Sequence, residues 1–190
     1  LMRFEALLRW EDPQFGAVPP SEFIPIAENS GLIVPIGRWV LKRVCRHLRE
    51  WIDAGCSPVP VAVNVSPKEM HDREFVQHVI DVLGALDLPA ALLEIEITEG
   101  TLVEDVEGTI AVMQALKAVG VSFAVDDFGV GHSSLSYLKR LPISTLKIDQ
   151  SFVVDIEQDK DDTAIVEAVI GLAATLGLRV VAEGVETESQ

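Results

Sequence analysis

Asp126 and Asp127 stand side by side at the end of a short apolar run, Val121 to Val125. Phe128 and a turn containing Gly129 and Gly131 follow them. The run is of the kind that forms a fully buried strand. Two carboxylates at the tip of such a strand are costly, because an uncompensated buried charge raises its own pKa or opens the site. A cation is their natural partner. The commoner fate of an isolated Asp-Asp pair is a solvated turn, and what decides against it is repetition. Polar residues recur where other apolar runs sit or end: Glu5, Asn64, Glu96, Lys147 and Glu183.

Taken together, Glu5, Asn64, Glu96, Asp126, Asp127 and Glu183 form an all-oxygen ligand set. Hard oxygen donors suit Mg²⁺ or Mn²⁺, and the absence of His and Cys from the set argues against zinc. The donors exceed what a single Mg²⁺ needs, because that ion keeps several waters. Two adjacent ions bridged by a carboxylate fit better, and the Asp126–Asp127 pair is a natural bridge. Two metals about 3.5–4 Å apart are the standard device for in-line attack of water on a phosphodiester. Lys147 can add positive charge to the attacking water or to a phosphate oxygen.

These residues need elements to hold them. Strands are expected over Leu1–Trp10, Val59–Val65, Leu92–Thr98, Val121–Val125, Thr145–Ile148 and Leu178–Ala182. Helices are expected over Ser21–Asn29, capped by Ser21 and stopped by Gly31, and over Ile33–Ala54. The buried stripe of the second is Ile36, Trp39, Val40, Val44, Leu48 and Trp51. Further helices are expected over Arg73–Leu86, Glu104–Val119 and Thr163–Leu176, the last capped by the acidic loop Asp155–Asp162. Ser133 and Ser134 open a short helix that runs through Lys139, and Glu11–Pro20 reads as a turn-rich connection. His71, His78 and His132 are isolated, and nothing in the spacing singles out Glu94.

Strand alternating with helix is the signature of a parallel α/β fold, and in a TIM-type (β/α)₈ barrel all strand ends converge on one face. An open doubly wound sheet would want a glycine-rich phosphate loop. Neither GxGxxG nor GxxxxGK[ST] is present, so the barrel is favoured.

Composition bounds the function. The 190 residues, 48% hydrophobic, suffice for one packed core, so residues 1–190 read as one domain. Net charge is −15, which disfavours duplex nucleic acid as a partner. An acidic protein still binds a phosphate ester if its acids hold divalent metals that reverse the local charge. Cys45 and Cys56 are too few for a disulfide framework and point to a reducing compartment. No signal peptide is visible, the chain does not open on Met, and its longest uncharged apolar run, Ala168–Leu178, is too short to span a bilayer. The expectation is a soluble, cytoplasmic piece of a larger protein.

The motifs EALLRW (Glu5 to Trp10), FIPIAENSGLI (Phe23 to Ile33), VNVSP (Val63 to Pro67), EITE (Glu96 to Glu99), DDFG (Asp126 to Gly129), LKID (Leu146 to Asp149) and VVAEGVE (Val180 to Glu186) occur in that order. In them the chain resembles the EAL domain family of cyclic di-GMP phosphodiesterases, over essentially its whole length. The resemblance implies a TIM-type barrel with one antiparallel strand, here lacking the first and last strands of the domain. It implies metal-dependent hydrolysis of cyclic di-GMP to linear pGpG with two Mg²⁺ or Mn²⁺ ions. Glu5, Asn64, Glu96, Asp126 and Glu183 then look like ligands of one ion, and Asp126, Asp127 and Glu183 like contributors to the second. Lys147 matches the lysine that contacts the nucleophilic water. Glu183 matches a residue cast as general base, Arg9 a substrate-phosphate contact and Glu186 an active-site acid. Glu99 matches the anchor of the loop Asp127–Ser134, which in the family couples dimerisation to metal binding.

The resemblance also implies a bacterial cytoplasmic protein, a homodimer, and a fused sensory or diguanylate-cyclase-like domain outside this chain, with membrane anchoring of the full protein open. The loop departs from the family at Val130 and His132. A catalytically silent cyclic di-GMP receptor or interaction module is the alternative, and the survival of every recognisable ligand favours the enzyme. An enolase-like barrel acting on a carboxylate substrate lacks motif support.

Overall fold

The computed structural model describes residues 3–130 and 135–190, without the side chains of 103, 104, 135 and 136. Gly131, His132, Ser133 and Ser134, and with them the expected serine cap, lie outside the described residues. The described chain packs as two compact units, Leu1–Ile95 with Ala115–Val121, and Glu96–Gln114 with Ser122–Gln190.

In the first unit, β1 (Phe4–Ala6) runs parallel to β4 (Val61–Asn64), with Glu5 opposite Ala62. Between them the chain makes a small antiparallel hairpin, β2 (Trp10–Asp12) with β3 (Gly16–Val18). That hairpin occupies the stretch expected to be an irregular connection. Asp12 closes its turn by accepting from the N–H groups of Gln14 and Phe15. Helix α1 (Pro20–Ser30) starts behind Pro19, with Pro20 inside its first turn and without a side-chain cap, so Ser21 is not the cap.

Helix α2 (Ile33–Asp53) buries Ile33, Leu41, Val44, Cys45 and Leu48. The stripe expected from spacing is corrected here: Trp39 is 60% exposed and Trp51 39% exposed. Trp51 instead leans its ring against Phe4 and His47. The short α3 (Pro67–Met70) is started by Ser66 and Glu69 in a reciprocal capping box. Helix α4 (Phe75–Ala85) buries Phe75, Val79, Val82 and Leu83, and packs on α2. A 3₁₀ turn, Ala90–Leu92, leads into β5 (Leu93–Thr98).

Strand β5 begins in the first unit and ends in the second. Every residue from Leu93 to Ile97 is buried. Side chains alternate along a strand, so Leu93, Ile95 and Ile97 share one face, and Glu94 and Glu96 share the other. Glu94, which nothing in its spacing singles out, is 2% exposed and ion-pairs with Arg3. That cation compensates the burial of the acid.

In the second unit, α5 (Glu99–Glu104) and α6 (Val106–Ala118, whose last turn belongs to the first unit) lead to β6 (Ser122–Phe128). Helix α7 (Leu135–Leu138), β7 (Thr145–Ile148), α8 (Ser151–Val154), α9 (Lys160–Leu176) and β8 (Arg179–Ala182) follow. Asp159 caps α9 by accepting from the Asp161 N–H, as the acidic loop led one to expect. Hydrogen-bonded strand order is β1-β4-β5 in the first unit and β5-β6-β7-β8 in the second. The β6–β7 and β7–β8 pairings are parallel, with Lys147 opposite Val181. Among the described residues, the antiparallel pairing recorded is that of the β2–β3 hairpin. The fold is α/β with parallel strands joined through helices, and its strand ends carry the polar residues. No helix among the described residues is long and apolar enough to cross a membrane.

Candidate metal centre

Strand β6 does something its sequence hides. Alternation would send Asp126 and Asp127 to opposite faces of the sheet. The pairing register with β7 shifts between Val125 and Phe128, which is a bulge, and Asp127 sits at φ 53°, in the left-handed region. The Asp127 N–H turns back to donate to Asp126 Oδ1 at 3.0 Å. Carboxylate oxygens of Asp126, Asp127 and Glu183 consequently lie within 4.8 Å of one another. A left-handed aspartate is a known strain reservoir, and here it brings two neighbouring acids to one place.

Glu183 is delivered from the end of β8. Its N–H donates to the Ile148 carbonyl at 3.1 Å, which extends the β7–β8 ladder by one step past Ala182. Gly184 then turns the chain at φ 70°, and a Cβ built there would come 2.8 Å from Gln150 Cβ. Glycine is needed both for the backbone angle and for the close approach.

Lys147, in the middle of β7, points into this cluster. Its ammonium is 2.9 Å from Glu96 Oε2, 2.9 Å from Asp126 Oδ2 and 2.6 Å from Glu183 Oε1. Lys147 and Glu96 are 3% and 1% exposed. Burial alone would lower the lysine pKa, but the contacts with Glu183, Asp126 and Glu96 outweigh it and raise it. The lysine is therefore a fixed positive charge.

One ammonium among this many carboxylates leaves a surplus of negative charge, and Asp127 shows it. Its pKa is pushed up to about 6, first by burial and then by the charges of Asp126, Asp149 and Glu183 and a hydrogen bond to Asp149. Asp149 goes the other way. Burial works against its charge, yet hydrogen bonds from Ser151 and Asp127 hold it below the ordinary carboxylate range. In the sequence Asp149 is only the last residue of the LKID motif. Its position at the end of β7, beside the bulge of β6, is what makes it a partner of Asp127.

Glu99, at the start of α5, accepts from the Gly129 N–H at 3.2 Å. This is a backbone anchor for the chain leaving the Asp126–Asp127 bulge, and Glu99 is only 4% exposed. Four expected residues remain: Glu5, Asn64, Arg9 and Glu186. In the first unit, Asn64 Nδ2 donates to Glu5 Oε1 at 2.8 Å, so β1 and β4 bring those two side chains together. Arg9 is exposed and donates to the Leu8 carbonyl at 3.0 Å. Glu186 is exposed beyond β8, its N–H donating to Gln190 Oε1 at 2.8 Å.

The donors gathered in the second unit are all oxygens of Asp and Glu, they crowd one another, and a hard divalent cation would relieve the crowding. The residues present fit such an ion.

A family model described as the EAL domain matches residues 1–190. The bifunctional diguanylate cyclase/cyclic di-GMP phosphodiesterase MucR of Pseudomonas aeruginosa is 47% identical over 186 residues, 98% of this chain and 27% of that protein. The cyclic di-GMP phosphodiesterase PA2567 of the same organism is 42% identical over 183 residues, 96% of this chain and 31% of that one. The chain thus spans about a third or less of these curated relatives. Among solved structures, that of the PaMucR phosphodiesterase in complex with c-di-GMP superposes with a TM-score of 0.93 at 47% identity, covering 97% of this chain and 75% of that one.

Proposed function

This chain belongs to the EAL domain family, and from that membership we propose that it hydrolyses cyclic di-GMP to linear pGpG. The observation that carries the reading is the gathering of Asp126, Asp127 and Glu183 oxygens within 4.8 Å in a chain of this family. Relatives named as cyclic di-GMP phosphodiesterases support the substrate class.

In this reading Asp126, Asp127, Glu183 and Glu96 hold Mg²⁺ or Mn²⁺, as two ions. Glu5 and Asn64 join the ligand set on the strength of their motifs. Bound ions of this kind supply positive charge to phosphoryl oxygens and lower the pKa of water. The chain's own residues do the rest. Lys147 holds its proton throughout and offers a permanent positive charge beside Glu183 for the nucleophilic water. Glu183 aims a carboxylate into the site from a position fixed by the β7–β8 ladder. Arg9 binds a phosphate of the substrate through its guanidinium, and Glu186 serves as a further acid at the site. Glu99 holds the loop that carries Asp127. Homodimerisation and a fused sensory or diguanylate-cyclase-like domain belong to the same reading, as does a bacterial cytoplasmic setting.

The test is incubation with cyclic di-GMP and Mn²⁺ followed by chromatography for pGpG. Mg²⁺ or Mn²⁺ should support turnover, and Ca²⁺ should support it poorly, because it is larger and tolerates looser geometry. Binding of cyclic di-GMP without pGpG would instead identify a silent receptor. Equal turnover with Ca²⁺ would contradict the close pair of small ions.

A further inference from the structure

Asp127 stands near the end of β6 and Glu183 just past β8, and β7 lies between those two strands. The segment that leaves β7 therefore emerges between the two ligand-bearing segments. Asp149, Gln150, Ser151 and Phe152 form one turn that runs straight into α8. The Ser151 N–H donates to Asp149 Oδ1 at 2.9 Å and the Phe152 N–H to the Asp149 carbonyl at 3.2 Å. The Val153 and Val154 N–H groups both donate to the Gln150 carbonyl at 3.0 Å. A short turn closed by this many of its own hydrogen bonds keeps its shape.

The turn meets both neighbours. On one side is the bend Asp127–Val130, in which the Val130 N–H donates to the Asp127 carbonyl at 3.4 Å. The Phe152 ring lies against that bend: a Cβ built on Gly129 would come 3.0 Å from Phe152 Cε2 and 3.4 Å from Cζ. Asp149 hydrogen-bonds the Asp127 carboxyl group itself. On the other side Gln150 fills the space beside Gly184, the residue after Glu183, where a Cβ would fall 2.8 Å from Gln150 Cβ. Gln190 adds a link between α8 and that second segment. Its Nε2 donates to the Val153 and Val154 carbonyls at 3.2 and 3.3 Å, and its Oε1 accepts from the Glu186 and Thr187 N–H groups at 2.8 and 3.0 Å.

Both neighbours need support of this kind. Asp127, Gly129 and Gly184 sit at φ 53°, 106° and 70°, where local preference does little to hold a backbone. A small divalent cation, in turn, tolerates little error in the placement of its oxygens. Taking the carboxylate cluster as a cation site, as above, we infer that the turn Asp149–Phe152 is the spacer that sets Asp127 and Glu183 at binding distance, with Phe152 and Gln150 as positioning residues. Neither is a ligand. Each holds the backbone beside one, Phe152 through Gly129 and Gln150 through Gly184.

The test is Mn²⁺ affinity of the whole chain without cyclic di-GMP, read from the loss of the paramagnetic resonance signal of the free ion. Phe152→Ala should weaken binding about tenfold or more, as is usual when a group behind a metal ligand is removed. Val153→Ala is the control on the same helix. Val153 is 2% exposed, so its truncation should lower the melting temperature yet leave the Mn²⁺ affinity of the folded protein within about twofold. Gln150 is exposed, so Gln150→Gly should fold even if Phe152→Ala does not, and it too should weaken Mn²⁺ about tenfold. Gln150→Ala keeps the Cβ that meets Gly184 and should bind like wild type. Wild-type affinity in Phe152→Ala or Gln150→Gly would overturn the inference, as would an equal loss in Val153→Ala or Gln150→Ala. Mn²⁺ binding without pGpG formation by wild type would contradict the phosphodiesterase reading and leave the spacer standing. Turnover by wild type with unchanged Mn²⁺ affinity in the variants would overturn the spacer alone, and absence of saturable Mn²⁺ binding by wild type would overturn both.

Discussion

The Gly129 N–H donates to Glu99 Oε2 at 3.2 Å, tying the start of α5 to the chain just past the Asp126–Asp127 bulge. Gly129 sits at φ 106°, a conformation with little intrinsic preference, so this contact is part of what holds it. Removing the carboxylate loses a hydrogen bond to a charged acceptor, worth about 1.5–3 kcal/mol. Glu99→Ala should therefore weaken Mn²⁺ affinity and hydrolysis together, by about tenfold, although Glu99 is not in the ligand set. A metal titration that superimposes on wild type would show that this contact does not hold Asp127 in place.

Lys147 sets its ammonium against the carboxylates of Glu96, Asp126 and Glu183. Breaking such a cluster by removing one partner costs about 3–5 kcal/mol. Lys147→Met should lower the melting temperature of the metal-free protein, and added Mn²⁺ should raise it by more than in wild type, because the ion replaces the lost charge. Equal Mn²⁺-induced shifts in the two proteins would count against a cation site at this cluster.

Gly184→Ala puts a Cβ 2.8 Å from Gln150 Cβ and forces alanine to φ 70°. Both effects act on the residue after Glu183. A loss of turnover larger than the loss of stability is expected, the left-handed penalty being about 1–2 kcal/mol. Full activity in this variant would mean that the position of Glu183 tolerates a shift of the turn.

Buried Cys45 has its thiol pKa pushed up to about 11 by burial, while Cys56 is exposed. A thiol reagent at pH 8 should modify one cysteine in the native protein and two after denaturation. The sign for stability follows from linkage. The folded pKa lies above the unfolded value of about 8.5, so the folded state keeps a proton that the unfolded chain releases. This contribution to stability is complete below the unfolded pKa and is lost as pH rises from there through about 11. Cys45→Ala should flatten the stability curve over that interval, and identical slopes would contradict the burial.

Much of this architecture was legible in the sequence, because parallel buried strands advertise themselves as apolar runs and the polar residue at each end stands out. Thr145–Ile148 with Lys147, and the strand that carries Glu96, are legible in that way. What was missed depends on contacts far apart in the chain or on local backbone. Glu94 does not stand out in the sequence because its partner, Arg3, lies far away along the chain. The β6 bulge is invisible to a period of two, so the sequence says that Asp126 and Asp127 matter but not how both reach one place. The capping box of Ser66 and Glu69 is written in SPKE, upstream of the helix that the sequence pattern starts at Arg73. Trp39 and Trp51 show the limit of helical spacing: an aromatic residue on the apolar stripe still needs a neighbour to cover it.

Gly37 closes a different part of the molecule. A Cβ there would fall 1.5 Å from Glu69 Oε1, where the capping-box carboxylate lies nearly buried against α2. Gly37→Ala should displace Glu69 and destabilise the protein by about 1–3 kcal/mol, despite alanine's better helix propensity. A variant as stable as wild type would show that Glu69 has another place to go.

The central claim is hydrolysis at the cluster of Asp126, Asp127, Lys147 and Glu183, and Glu183→Gln tests it most directly. The substitution keeps the size of the side chain and removes its charge. Wild type and variant should be incubated with cyclic di-GMP and Mn²⁺, with pGpG followed by chromatography and folding checked by circular dichroism. Wild type should form pGpG, and the folded variant should lose about a hundredfold or more of that rate, as expected for the loss of a group that acts on the reacting centre. A folded Glu183→Gln that keeps most of the wild-type rate would contradict the account.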